Sequence, residues 1–162
     1  MKLNFLLPGL ALIVLATPAL AFESFVSQPG ANREIHPAGV TDDVLATKEQ
    51  TGGQLGMVIL GNPVGGGPGP AIVDNKATDY FFVIDGTYEF HLGAKVIDAG
   101  PGTLLVADKG MPHGFITKTP GRILAIFAPG GYEHFFMDWD TLKLQPGPEL
   151  GKLENKYGVT RP

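Results

Sequence analysis

Residues 66–113 read GGPGPAIVDNKATDYFFVIDGTYEFHLGAKVIDAGPGTLLVADKGMPH. The glycine-proline run at the start has no hydrophobic period and reads as a loop. An apolar strand follows at 80–84 and stops at Asp85-Gly86, with a return strand at 87–92. Asp-Gly between two β-rich runs predicts a type I′ hairpin, because both central residues of that turn take positive φ. Gly100-Pro101-Gly102 separates two further strands at 95–97 and 103–106, and a turn at 108–112 delivers His113 onto the next strand. Short strands closed by turn residues at even spacing predict a tightly turned antiparallel meander.

Upstream, residues 44–47 and 54–60 read as two more strands around Gln50-Thr51-Gly52-Gly53. In the second, Leu55, Met57 and Ile59 alternate with Gly56, Val58 and Leu60, so both faces are apolar and burial on both sides is expected. Residues 22–43 are polar and irregular and read as an arm over one end of the barrel, with His36 exposed. The first 21 residues have another character. Lys2 precedes an apolar run and a small-residue end, Ala19-Leu20-Ala21, which is the layout of a secretory signal peptide cleaved before Phe22. Pro8, Gly9 and Pro18 leave that run too broken for a membrane span.

Downstream, 122–127 is a last barrel strand, broken by Ala128-Pro129-Gly130-Gly131. Residues 132–140 read as a short helix whose Phe135, Phe136 and Trp139 lie on one face, as core packing requires. A second helix is expected at 148–157, with Pro148 in its first turn and Gly158 ending it. The organisation is therefore a leader at 1–21, an arm at 22–43, a barrel at 44–128 and a helical extension at 129–162. The formal charge of −4, with no run of Lys or Arg, argues against nucleic acid and anionic membrane as partners. There is no cysteine, so neither a disulfide nor a thiolate site is available. The glycine-rich loop at 61–69 is a poor phosphate cradle, since its prolines lack N–H donors and no helix follows.

With these turns and one histidine at a strand start, the chain resembles the cupins, whose two motifs are G-x5-H-x-H-x4-E-x6-G and G-x5-P-x-G-x2-H-x3-N. Gly66, Gly86, Gly102 and Gly110 match the framework glycines, and His113 falls on the second-motif histidine. Ile72 and Asp74 stand at the first-motif histidine positions, Asp79 at the glutamate position, and Asp108 and Thr117 at the proline and asparagine positions. Residues 128–136, APGGYEHFF, are similar to the ending of quercetinase-like cupin domains. The resemblance implies an all-β fold, a double-stranded β-helix (jelly-roll-like) barrel with one or two short C-terminal helices. It also implies pairing into a homodimer through barrel edges.

A cupin metal centre resembles a cage of three imidazoles and one carboxylate. The matching positions here imply Asp74, Asp79 and His113 as the metal set, with Ile72 an apolar wall, and a hard divalent ion such as Fe or Mn, or no metal. His113 and Asp79 are the expected catalytic pair. Phe81, Val83, Phe90, Leu105 and Phe115 are expected to line the pocket, with His91 and His134 outside it. The resemblance implies an exported dioxygenase-like oxidoreductase acting on a phenolic or polyketide-type small molecule. The alternatives are a non-catalytic small-ligand-binding cupin that has lost its metal centre, and metal-independent isomerase chemistry by His113 against Asp79.

Overall fold

The computed structural model describes residues 23–28, 30 and 33–162, so the expected leader at 1–21 lies outside the described residues. The strands are β1 (Arg33–Ile35), β2 (Asp42–Ala46), β3 (Gly56–Asn62), β4 (Gly69–Asp74), β5 (Thr78–Leu92), β6 (Lys95–Ala99), β7 (Leu104–Ala107), β8 (His113–Ala128) and β9 (Val159–Thr160). Two helices, α1 (Glu133–Leu142) and α2 (Pro148–Tyr157), follow β8. Sheet structure thus reaches beyond 44–128, with β1 in the expected arm and β9 after the helices pairing with β4. Among the described residues no helix is long and apolar enough to cross a membrane.

The architecture depends on two long strands, β5 and β8, paired antiparallel from Thr78↔Ala128 to Leu92↔His113. The first part of β5 lies between β7 and the second part of β8, whose other side takes β3. Its second part lies between β6 and the first part of β8, whose other side takes β4. The β5–β8 ribbon therefore passes from one layer to the other, the two-layer closure of an all-β jelly-roll barrel. The inner faces meet where Phe81 of one layer packs edge-on against Phe115 of the other, with centroids 5.6 Å apart.

The expected hairpin at Asp85-Gly86 does not form. The chain runs straight through it as one strand, and the register slips between Val83 and Tyr88. Gly86 uses its positive φ of 81° for a bulge that bends the strand. A Cβ on Gly86 would lie 2.8 Å from the Cα of Gly121, so the two strands approach backbone to backbone at the bend. Asp85 accepts a hydrogen bond from Arg122 Nε at 2.9 Å, which ties the outer edge of the same bend. The tight hairpin of this region is eight residues further on, where Gly93-Ala94 joins Leu92 to Lys95.

Burial follows the period-2 alternation of strands. Gly56, Val58, Leu60 and Asn62 of β3 face inward, while Met57 and Ile59 are only half-buried, so burial on both sides is not reached. Asp42, Val44 and Ala46 of β2 are all buried. Both helices form where expected: Pro148 opens α2, Gly158 closes it at φ 94°, and Leu150 and Leu153 face the barrel.

Gly86 and Gly110 share the same φ of 81°, but only Gly86 has a neighbouring backbone in the way. Gly110→Ala is expected to cost about 1–2 kcal/mol from backbone conformation alone. Gly86→Ala is expected to cost roughly 2 kcal/mol more, because the bend must open. Urea unfolding of the two variants measures the difference.

Candidate functional site

The turn at 108–112 is held by Asp108 Oδ1, which accepts the Thr78 hydroxyl at 2.8 Å and the Lys109 N–H at 2.8 Å. It places His113 as the first residue of β8, facing Ile72 across the β4–β8 pair. His113 Nδ1 lies 2.8 Å from the Met111 carbonyl, which can only accept, so Nδ1 carries a hydrogen. That bond turns Nε2 toward Asp79, on the inward face of β5, with Nε2 3.0 Å from Oδ2. The approach is off the direction a hydrogen bond needs: Nε2 and both Asp79 oxygens are buried without a hydrogen-bond partner.

Both members of this pair titrate high. Burial raises the Asp79 carboxyl, the His113 imidazole beside it pulls it back, and the charge of Asp74 raises it again. For His113 burial acts downward, but Asp79, the Met111 carbonyl and Asp74 outweigh it and the net direction is up. Each group therefore holds a proton more readily than it would in water. Asp74 stands close enough to act through its charge, but its Oδ1 is engaged by the N–H groups of Lys76 at 2.6 Å and Ala77 at 2.9 Å. It caps a turn, and its Oδ2 is buried without a partner.

A metal needs three or more donors that converge. Among the described residues the group of His, Asp and Glu with ligand atoms mutually within 4.8 Å is Glu49, Glu133 and His134. Asp74, Asp79 and His113 do not form such a group, and Ile72 offers no donor at the fourth position. These residues do not fit the cage of three imidazoles and one carboxylate. The structure brings His113 and Asp79 together and leaves Asp74 beyond a shared ion.

Glu133 serves as a brace. It is fully buried, its oxygens accept the N–H groups of Lys48 at 2.7 Å and Gly131 at 2.6 Å, and a side chain on Gly56 would collide with it. His134 meets Glu49 at 2.9 Å near the surface, and His91 meets Glu89 at 3.0 Å. His36 is exposed beside Glu34.

A cavity of about 440 Å³ is bounded by the barrel and by the helices that follow it. Ile72, Phe81, Phe115 and Phe127 line it from the strands. Tyr132, at the head of α1, and Phe135, Phe136 and Trp139, within it, form the opposite wall. Of the expected lining, Phe81 and Phe115 are present, whereas Val83, Phe90 and Leu105 are buried in the core without reaching the cavity. His113 and Asp79 do not line it either. They sit behind Phe81, whose ring centroid is 5.7 Å from that of His113.

The polar groups that do reach the cavity are ones the sequence reading passed over: Asp42, Asn62, Tyr132, Glu154 and Arg161. Arg161 pairs with Glu154, its Nε 2.9 Å from Oε2, and donates to the Pro68 carbonyl at 2.6 Å, tying the chain end to α2 and to the glycine-rich loop. Asp42 differs from these, being 4% exposed with no basic group paired to it among the described residues. Its Oδ1 accepts the Gly61 N–H at 2.8 Å. The signal that could have found it is the alternation Asp42, Val44, Ala46, which puts its side chain on the core face of β2.

The family model for the cupin domain matches residues 60–127. No curated protein matches the sequence. Among solved structures, KdgF from a Halomonas species is similar at 17% identity and TM-score 0.59, over 68% of this chain and 99% of that one. An RmlC-like cupin from Shewanella frigidimarina gives 16% identity and TM-score 0.57, over 68% and 96%. A predicted oxalate decarboxylase from Thermotoga maritima gives 17% and 0.56, over 65% and 99%. Likeness at this identity shows the fold. The class is a small jelly-roll barrel of the double-stranded β-helix type with an apolar cavity at its helical side. Residues 60–127 form a cupin domain, of a family whose members bind small-molecule ligands or substrates.

Two outcomes follow. His113→Ala leaves Asp79 buried without its partner and is expected to cost about 3–5 kcal/mol, whereas replacing both His113 and Asp79 by Leu is expected to cost much less. Equal losses in urea unfolding would contradict a buried pair. For Asp42, burial pushes the carboxyl up to about 7, against the Gly61 N–H that lowers it and with Asp43 adding to the rise. The folded protein therefore holds a proton that the unfolded chain has already released between about pH 4 and 7, and stability falls as pH rises through that window. Asp42→Asn is expected to abolish this fall, gaining up to about 4 kcal/mol at pH 8 and little at pH 4.

Proposed function

We propose that this protein is an exported cupin that binds a small, uncharged, ring-bearing molecule of phenolic or polyketide type in the 440 Å³ cavity, without the family's metal cage. The observation that carries this reading is the wall itself: seven aromatic residues from barrel and helices surround a space of ligand size, with few polar groups among them. Flat apolar rings are the ligands such a wall favours, through offset and edge-on contacts. Export rests on the leader pattern of residues 1–21, and N-terminal sequencing of exported protein is expected to start at Phe22.

A dioxygenase would need a redox ion held beside the substrate, and neither the donor set at the family positions nor the sealing of His113 and Asp79 behind Phe81 supports that. The same sealing weighs against the His113–Asp79 pair as an acid–base couple for a molecule in the cavity. What the pair offers is a buried polar contact that fixes the start of β8 against β5.

The single tryptophan, Trp139, lines the cavity with its Nε1 donating to the Leu144 carbonyl at 2.9 Å, and serves as a built-in reporter. Titration with quercetin and with 1-naphthol is expected to quench it saturably. Phe136→Ala is expected to weaken binding roughly tenfold or more, the effect of losing about 1.5–3 kcal/mol of ring burial. Non-saturable quenching with both compounds, or equal affinity in the variant, would sink the reading.

A further inference from the structure

We propose that Asp42 is a catalytic general base, moving a proton between two carbons of a ring-bearing ketone held in the cavity, with the Tyr132 hydroxyl hydrogen-bonded to the ketone oxygen. This rests on the binding reading above and adds an activity to it.

The buried acids of the fold separate cleanly by what holds them. Asp74 caps a turn through two backbone N–H groups. Asp79 faces His113. Glu133 takes the N–H groups of Lys48 and Gly131. Glu154 takes Arg161. Asp42 has only the Gly61 N–H on one oxygen, which a neutral acceptor would satisfy as well. Its second oxygen has no bonding partner among the described residues, and the residue lines the cavity. A carboxyl at that place lowers stability at neutral pH and contributes no contact that asparagine could not make. Such local cost at a cavity wall is the mark of a chemical role.

The charged and titratable groups around it are few. Asp43 adjoins it on β2, and Tyr132 from α1, Glu154 from α2 and Arg161 after β9 reach the same cavity. Glu154 and Arg161 neutralise one another. Tyr132 makes no hydrogen bond through its hydroxyl among the described residues, and burial holds its phenol well above the ordinary range, so it remains a donor. A half-ionised carboxylate and an unspent phenol donor line the same apolar cavity, the two kinds of group that proton transfer next to a carbonyl uses.

The step balances without a co-reactant. The Asp42 carboxylate takes a proton from the carbon next to the carbonyl. The C–H electron pair becomes a carbon–carbon double bond, and the carbonyl π pair moves onto oxygen, where the Tyr132 hydroxyl stabilises it. Return of those electrons draws the proton from the Asp42 carboxyl back to carbon, at the same position or at the far end of a conjugated system. The substrate class is a neutral, ring-bearing ketone with an acidic C–H, and the reaction is enolisation or double-bond isomerisation.

The test uses 2-tetralone in D₂O, with hydrogen exchange at its acidic ring carbon followed by NMR and binding followed by Trp139 quenching. The wild-type protein is expected to accelerate exchange about 100-fold over buffer, with a rate that rises through pH 7. Asp42→Asn is expected to lose about 100-fold in exchange while binding stays within about threefold, and Tyr132→Phe to lose about 100-fold. Asp42→Ser, which keeps an acceptor for Gly61, is expected to behave as Asp42→Asn and guards against a folding artefact. Binding without accelerated exchange, or Asp42→Asn and Asp42→Ser exchanging like wild type, overturns the proposal and leaves the binding reading standing. Absence of binding to 2-tetralone, quercetin and 1-naphthol alike overturns both.

Discussion

The close passage of Gly86 over Gly121 is the constraint on which the other features depend. Two strands can bend together so sharply only where neither carries a Cβ at the crossing. Because β5 and β8 bend there, each contributes one part to each layer, and the inward residues of all four parts converge. Asp79 and Phe81 come from one side of the bend, and His113 and Phe115 approach from the facing layer. Fill either glycine and the layers cannot close at this angle, whatever the rest of the core contributes.

Closure buries the interior, and burial sets the terms for every charge inside it. The fold meets this in three ways. Backbone N–H groups hold Asp74 and Glu133, an opposite charge holds Glu154, and the His113 imidazole stands against Asp79. The last arrangement occupies the place where a cupin would carry metal ligands, but with one imidazole and an isoleucine opposite it the pair is turned inward as a packing element. Asp42 falls outside all three and raises its own affinity for a proton.

That wall is not made by the barrel alone. Phe127 at the end of β8 stacks edge-on with Tyr132, which continues through Phe135 to Trp139 along α1. The helices pack beside the barrel opening, and Arg161 fastens α2 and the glycine-rich loop through Glu154 and the Pro68 carbonyl. Enclosure of the cavity thus depends on residues after the barrel strands.

The sequence by itself determined the local units. Alternation and turn residues placed most strands, Pro148 and Gly158 bounded α2, and the spacing of Gly66, Gly86, Gly102, Gly110 and His113 pointed to the cupins. It also paired His113 with Asp79, because motif offsets fix which strand positions face inward. Tertiary structure decided the rest, since those matters turn on which strand a residue meets. Asp85-Gly86 carries the local signature of a hairpin, yet β8 supplied a partner for both flanks and turned the same positive φ into a bend. Phe135, Phe136 and Trp139 read as core, but only the position of α1 left their rings beside an unfilled space. Asp42 looked like one more polar residue of an arm, and it became a buried carboxyl only when β3 and the helices closed around it. Periodicity reports which way a side chain points, whereas burial and the affinity of a carboxyl for its proton are set by what long-range packing places in front of it.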